Sequence, residues 1–283
     1  MRSCGGEHSA DSHREVDMDL DHANLYTMPL IMGPLFRRDN ADHHFRRISL
    51  YGLQYPADQN AIQKLLPRGV TAARESKVTV MFGYYDGVDF MADGGYREII
   101  IQVAARFDGE HDHVEGDFIL AMFLDDALPI IYGREQMGIP KLPAQISPVR
   151  IADDGAVRCE ASLWGHMLFG IKLGPLSEQI APVRLLAAHE INKRPWLCWK
   201  YIPALDGPPD ADYPLAVVNE LQIDRMAIAR SGALKFGQAG SADISVVSTL
   251  LDAFRTLTPT GPAQGMHLLG SSVMKGGLSR RLR

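Results

Sequence analysis

Across residues 78–132, β-rich runs such as VTVMFGYY, YREIIIQVAARF and FILAMFL alternate with short turn signals. The connectors DGVD, DGEHDHVEGD and DDALP are shorter than the helical crossovers that parallel strands require. Hairpins are the economical reading, with IIYG at 130–133 as a further strand. PVRIADDGAVRCEASLW repeats the pattern around Asp154-Gly155, a dipeptide suited to a tight hairpin turn. WLCWKYIPAL supplies another strand, and NELQIDRMAIARSGALKF one or two more.

Helical signal is sparse. SLYGLQYP, 49–56, alternates like a strand, and DQNAIQKLLP then offers Asp58 as N-cap, Ile62, Leu65 and Leu66 on one face, and a proline stop. The signal returns only in ISVVSTLLDAFRTL, 244–257, where Val247, Leu250, Leu251 and Phe254 fall at helical spacing. The expected class is α+β: a large antiparallel β-sheet closing into a barrel or cone, with a few peripheral helices. Residues 1–25 are polar, rich in His and Asp, and lack apolar periodicity, which predicts a disordered or partner-ordered arm. Residues 26–283 read as one domain. LDGPPDADYP, 205–214, is the best linker candidate, but the strands on either side belong more simply to one sheet system.

Composition narrows the function. With 46% hydrophobic and 22% charged residues the chain can bury a substantial core, and a net charge of -5 offers no attraction for phosphate backbones or anionic membranes. Neither nucleic acid nor membrane is expected as a partner. Cys4, Cys159 and Cys198 are odd in number and form no CxxC, so neither a disulfide framework nor a thiolate zinc site is suggested. With no apolar leader and no window of about 18 uncharged apolar residues, a cytoplasmic protein is the expectation.

Most apparent motifs fail on chemistry. GREQMG, Gly133 to Gly138, has the glycine spacing of a phosphate loop, but Ile139-Pro140 stands where Lys-Ser/Thr is needed. His111-Asp112-His113, His43-His44 and the histidines of the arm read as solvated loop residues rather than a metal site, which needs three placed ligands and a second shell. No GxSxG elbow is present. Lys141 differs, because it lies among Met137, Ile139, Leu142 and two prolines. A lysine is a nucleophile only when neutral, and desolvation or a neighbouring cation is what shifts its proton affinity that far. On residues alone, a loop lysine whose head reaches water is the favoured reading.

GREQMGIPK, preceded by LDDALPIIY, resembles the GRE-x4-PK segment of the acetoacetate decarboxylase superfamily. YPADQNAIQKLLP, GGYREI and NKRPWLCWKYIPALDG are similar to further segments of that family, in the right order, across roughly residues 27–275. Acetoacetate decarboxylase is itself the standing example of a lysine activated by an apolar pocket or an adjacent cation, so the resemblance supplies that rationale. It implies Lys141 as the Schiff-base nucleophile and Glu98 as the acidic group beside it. It also implies an arginine near the substrate carboxylate, for which Arg46 and Arg47 are the candidates, and roles for Arg134 and Glu135 in catalysis or as a buried ion pair shaping the loop. The resemblance further implies a small keto-acid substrate, a homo-oligomer, and no metal or organic cofactor. Leu142 departs from the decarboxylases proper, which carry a second lysine there, and so brings aldolase-dehydratases acting on pyruvate-like acids into consideration. A non-catalytic small-molecule-binding barrel is the remaining alternative.

Overall fold

The computed structural model describes residues 20–33, 36–38 and 42–283. Most of the expected N-terminal arm therefore lies outside the described residues, although Asn24–Leu25 pairs with Phe36–Arg37. The principal strands are β1 (Asp42–Pro56), β2 (Val70–Ala72), β3 (Lys77–Val88), β4 (Tyr96–Asp108), β5 (His113–Leu124), β6 (Lys141–Pro143), β7 (Val157–Leu163), β8 (His166–Leu173), β9 (Trp196–Ile202), β10 (Ala211–Ala229), β11 (Gly232–Phe236) and β12 (Gln264–Arg281). The helices are α1 (Gln59–Gln63), α2 (Ala127–Glu135), α3 (Ala181–Asn192) and α4 (Val246–Arg255).

A ten-stranded sheet runs β2-β4-β3-β1-β12-β10-β9-β5-β6, with Ser177–Glu178 pairing with β10 off this path as the tenth strand, and β4 pairs with β5 as well as with β3. A five-stranded sheet carries β7, β8 and β11. The expected hairpins from β3 to β5 form, as does the turn at Asp154-Gly155, where Gly155 adopts φ 76°. The strands flanking 205–214 pair with each other in one sheet.

Four expectations fail. The large sheet is mixed, because β9–β5 and β5–β6 are parallel. The crossover that the second pairing needs is α2, built from residues 127–135, so IIYG is helix and not strand. Asp126, read as part of an acidic turn, caps it by accepting from the Leu128 N–H at 2.8 Å. Helix is also not confined to 58–67 and 244–257: α3 fully buries none of its side chains and so shows no apolar stripe in the sequence. The 244–257 segment itself is split, with Ser245 at φ 47° separating a four-residue turn from α4.

The strands of the large sheet bury both faces. On β4, Ile99, Ile101 and Val103 enter one core with Phe169, Leu251 and Phe254, while Ile100 and Tyr96 enter a second with Phe45, Met122, Leu124 and Tyr132. This explains why EIIIQV and FILAMFL are continuous apolar runs rather than alternating ones. Among the described residues, no helix is long and apolar enough to cross a membrane.

Candidate active site

Lys141 and Glu98, the two residues nominated for chemistry, meet beside the second core. Lys141 is opposite Met122 in the β5–β6 pairing, and Glu98 is opposite Leu124 in the β4–β5 pairing. Residues two apart on a strand share a face, so β5 presents both partners to the same side. Lys141 Nζ lies 3.2 Å from Glu98 Oε2, and the two residues are 3% and 2% exposed. Among the described residues they are the only buried side chains of the Asp, Glu, Lys and Arg types.

Glycines make room for this pair. A Cβ on Gly133 of α2 would stand 2.6 Å from Lys141 Cδ and 2.7 Å from Cε, so the first glycine of GRE is where the lysine side chain passes. Gly83 pairs with Glu98, and a Cβ there would meet the Tyr85 ring at 2.5 Å. The ring folds over that gap and its hydroxyl donates to Glu98 Oε1 at 3.2 Å. Glu98 Oε2 has only the ion contact with Lys141 and no aligned hydrogen bond.

The walls are aromatic. Tyr85 and Tyr96 stack at 5.0 Å between centroids, and Lys141 Nζ lies 6.0 Å from the Tyr96 ring. Burial, reinforced by the Glu98 charge, holds both tyrosine hydroxyls well above their usual range, so they remain protonated donors. Burial pushes the Cys198 thiol up to about 12, against the field of Lys141. Tyr85 and Tyr96 also line an open cleft of about 680 Å³ with Arg47, Asp86, Arg97 and Asp125, which gives the interior a side facing solvent.

The other nominated residues lie elsewhere. Arg46 and Arg47 are exposed and paired with Asp93 at 2.7 Å and Asp86 at 2.9 Å. Arg134 is exposed, and its guanidinium donates to the Lys141 carbonyl at 3.0 Å, which fixes β6 to the end of α2. Glu135 turns away to accept from the Met28 N–H at 3.2 Å, so Arg134 and Glu135 serve different partners. Leu142, next to Lys141 on a strand, points to the opposite face and packs on the first core. The 111–113 loop engages other partners: Asp112 meets Arg280, and His113 meets Asp108.

One residue set aside in the sequence belongs here. His43 is fully buried and hydrogen-bonded through Nε2 to the Tyr132 hydroxyl. The alternation of His43 and Phe45 leading into Ile48 and Leu50 carried that signal, since all four enter the interior.

The sequence profile of the family described as acetoacetate decarboxylase (ADC) matches residues 27–277. The chain belongs to the acetoacetate decarboxylase family. It is 26% identical over 192 residues to acetoacetate decarboxylase 1 of Bradyrhizobium diazoefficiens, covering 65% of this chain and 68% of that one. Against the acetoacetate decarboxylase of Chromobacterium violaceum the identity is 28% over 164 residues, covering 56% and 59%. A solved acetoacetate decarboxylase superposes with TM-score 0.72 at 17% identity over 91% of this chain and 95% of that one. The enduracididine biosynthesis enzyme MppR, complexed with the condensation product of pyruvate and imidazole 4-carboxaldehyde, gives 0.67 at 16% identity over 92% and 97%. The family's fold thus houses both decarboxylases and an enzyme crystallised with a condensation product.

Proposed function

We propose that this family member is a lyase that decarboxylates a small β-keto acid through a Schiff base on Lys141. The observation that carries the reading is the Lys141–Glu98 contact of 3.2 Å in an otherwise apolar and aromatic interior. Lys141 Nζ, its proton passed to Glu98, attacks the ketone carbon to give a carbinolamine. Glu98 returns a proton to the carbinolamine oxygen, water leaves, and a protonated imine remains. The bond to the carboxylate carbon breaks, its electron pair moves into the imine, and CO₂ departs from an enamine. Protonation of the enamine carbon and hydrolysis of the imine release the ketone and restore Lys141. No metal or organic cofactor enters these steps.

Aldol condensation of a pyruvate-like acid with an aldehyde is the second reading, supported by the shared fold of MppR. Leu142, which suggested it from sequence, weighs little because that side chain faces the other core. We further read the large sheet as a closed barrel, since β4–β5 pairing joins strands already linked the other way round. The protein is taken as a cytoplasmic homo-oligomer, an assembly for which exposed Ile180, Leu185 and Leu186 along α3 offer apolar surface.

The assay is product analysis. Acetone and CO₂ from acetoacetate, both lost in Lys141→Ala, are the expected products. A condensation product from pyruvate and an aldehyde, with acetoacetate untouched, would replace decarboxylation by the aldol reading.

A further inference from the structure

The proposed steps leave one buried polar side chain of this interior unused. His43 is 0% exposed, its Nε2 is bonded to the Tyr132 hydroxyl, and its Nδ1 is buried without a hydrogen-bond partner. Phe36, Tyr132 and Phe90 surround the imidazole at centroid distances of 4.1, 4.6 and 5.4 Å. Tyr132 directly precedes Gly133, against which the Lys141 side chain lies, and the charge of Lys141 reaches the imidazole. His43 on β1 and Tyr132 on α2 thus stand next to the helix position against which Lys141 lies, whereas Glu98 meets Lys141 from β4. Burial lowers the imidazole to about 4, so the ring is neutral at physiological pH.

A keto acid entering here brings a carboxylate that needs a donor. Arg46 and Arg47 are exposed and tied to Asp93 and Asp86. Among the described residues Lys141 is the only buried lysine or arginine, and its nitrogen is bonded to the ketone carbon and so is not free to hold the carboxylate. A buried ring nitrogen left without a partner is costly, and such groups are rare unless something fills them. When the Tyr132 hydroxyl donates to Nε2, a neutral imidazole carries its proton on Nδ1 and becomes a free donor.

We propose that His43 Nδ1 is the carboxylate-binding donor of the pocket and that Tyr132 fixes the tautomer, so the substrate is a keto acid whose carboxylate is held by a neutral imidazole. This rests on the Schiff-base reading of Lys141. A neutral donor suits decarboxylation, because the carboxylate charge disappears in the transition state and a strong ground-state clamp would raise the barrier.

Two substitutions separate the roles of the two nitrogens. His43→Asn keeps an N–H near Nδ1 and loses the reach to Tyr132, whereas His43→Gln reaches Tyr132 and leaves nothing at Nδ1. Steady-state kinetics with acetoacetate is paired with borohydride trapping of acetone, a ketone with no carboxylate. The expected result is a KM for acetoacetate raised roughly 10- to 100-fold in His43→Gln. His43→Asn is expected within about threefold of wild type on the same scale, and acetone trapping on Lys141 unchanged in both. A wild-type KM in His43→Gln, or an equal loss of acetone trapping in both variants, would overturn the assignment in favour of a structural role. Absence of any adduct in the wild type would remove the Lys141 reading and this one with it. Should the variants not fold, ¹⁵N NMR of the wild type reads the same contact: 3-hydroxybutyrate, which has no ketone, should move the His43 Nδ1 resonance and leave Nε2 in place. An unmoved Nδ1 resonance would refute the proposal.

Discussion

Lys141 Nζ and Glu98 Oε2 meet at 3.2 Å although their strands, β6 and β4, do not pair with each other; both pair with β5, at Met122 and Leu124. The contact therefore depends on the register of three strands at once. Removing one member of a buried ion pair leaves an uncompensated charge, costing about 3–5 kcal/mol, whereas replacing both by apolar groups is often nearly neutral. Lys141→Met and Glu98→Leu should each lower stability by about that amount, and the double variant by less than either single one. Urea unfolding of the four proteins measures the coupling, and simple additivity would show that the pair is not coupled as the geometry implies.

Gly133 is a second control point. Its missing Cβ leaves the volume through which Lys141 passes, with 2.6 Å to Cδ. Gly133→Ala improves helix propensity by about 1 kcal/mol in α2, yet it must displace the lysine side chain. The expected outcome is intact circular dichroism with kcat/KM reduced by roughly 100-fold, the scale of a misplacement of about 1 Å. Activity near wild type would mean that the lysine can follow another path.

Leu142 tests the significance of the second lysine. Because its side chain packs on the first core, opposite Phe123, a charge there is directed away from Lys141 Nζ. Leu142→Lys should destabilise the fold by about 3 kcal/mol through an unpaired charge and leave the rate of the folded fraction no higher. A faster enzyme would show that the residue after the nucleophile does act on it.

His43 gives stability a pH dependence with a defined sign. Burial lowers the imidazole to about 4, with Asp89 and Asp42 opposing the change and Lys141 and His44 adding to it. As pH falls through 6.5 the unfolded chain takes up the proton first, so stability present above that pH is lost progressively down to about 4. The full contribution is about 3 kcal/mol. Thermal melts between pH 7 and 4 should therefore be steeper for the wild type than for His43→Asn, and parallel curves would contradict the burial argument.

Much of the sheet was legible because β3, β4, β5 and β9 carry uninterrupted β-rich runs, and Asp58 caps α1 as its position suggests. Helix α2 was not, since ALPIIYGRE is apolar enough to serve as a strand and its identity depends on the Asp126 cap and on the parallel partner it must reach. At the site, Lys141 and Glu98 stood out through motif and resemblance, 43 positions apart in the chain yet in contact in the fold. The arginines did not sort by sequence, because a bulge in β1, where Phe45 pairs with Ser272 and Ile48 with Gly270, turns both Arg46 and Arg47 outward between two buried residues. His43 was passed over for the same reason: a histidine pair beside charged residues resembles solvated surface until the strand's inner face is known.

The proposed reaction requires a covalent imine between Lys141 and a keto acid. Borohydride reduction during separate incubations with acetoacetate and pyruvate, followed by intact mass and peptide mapping, tests it directly, with Lys141→Ala as control. The expected product is an isopropyl adduct from acetoacetate on Lys141, which records both imine formation and loss of CO₂. A folded wild-type protein that yields no adduct with either acid, or one in which Lys141→Ala is labelled equally, would contradict it.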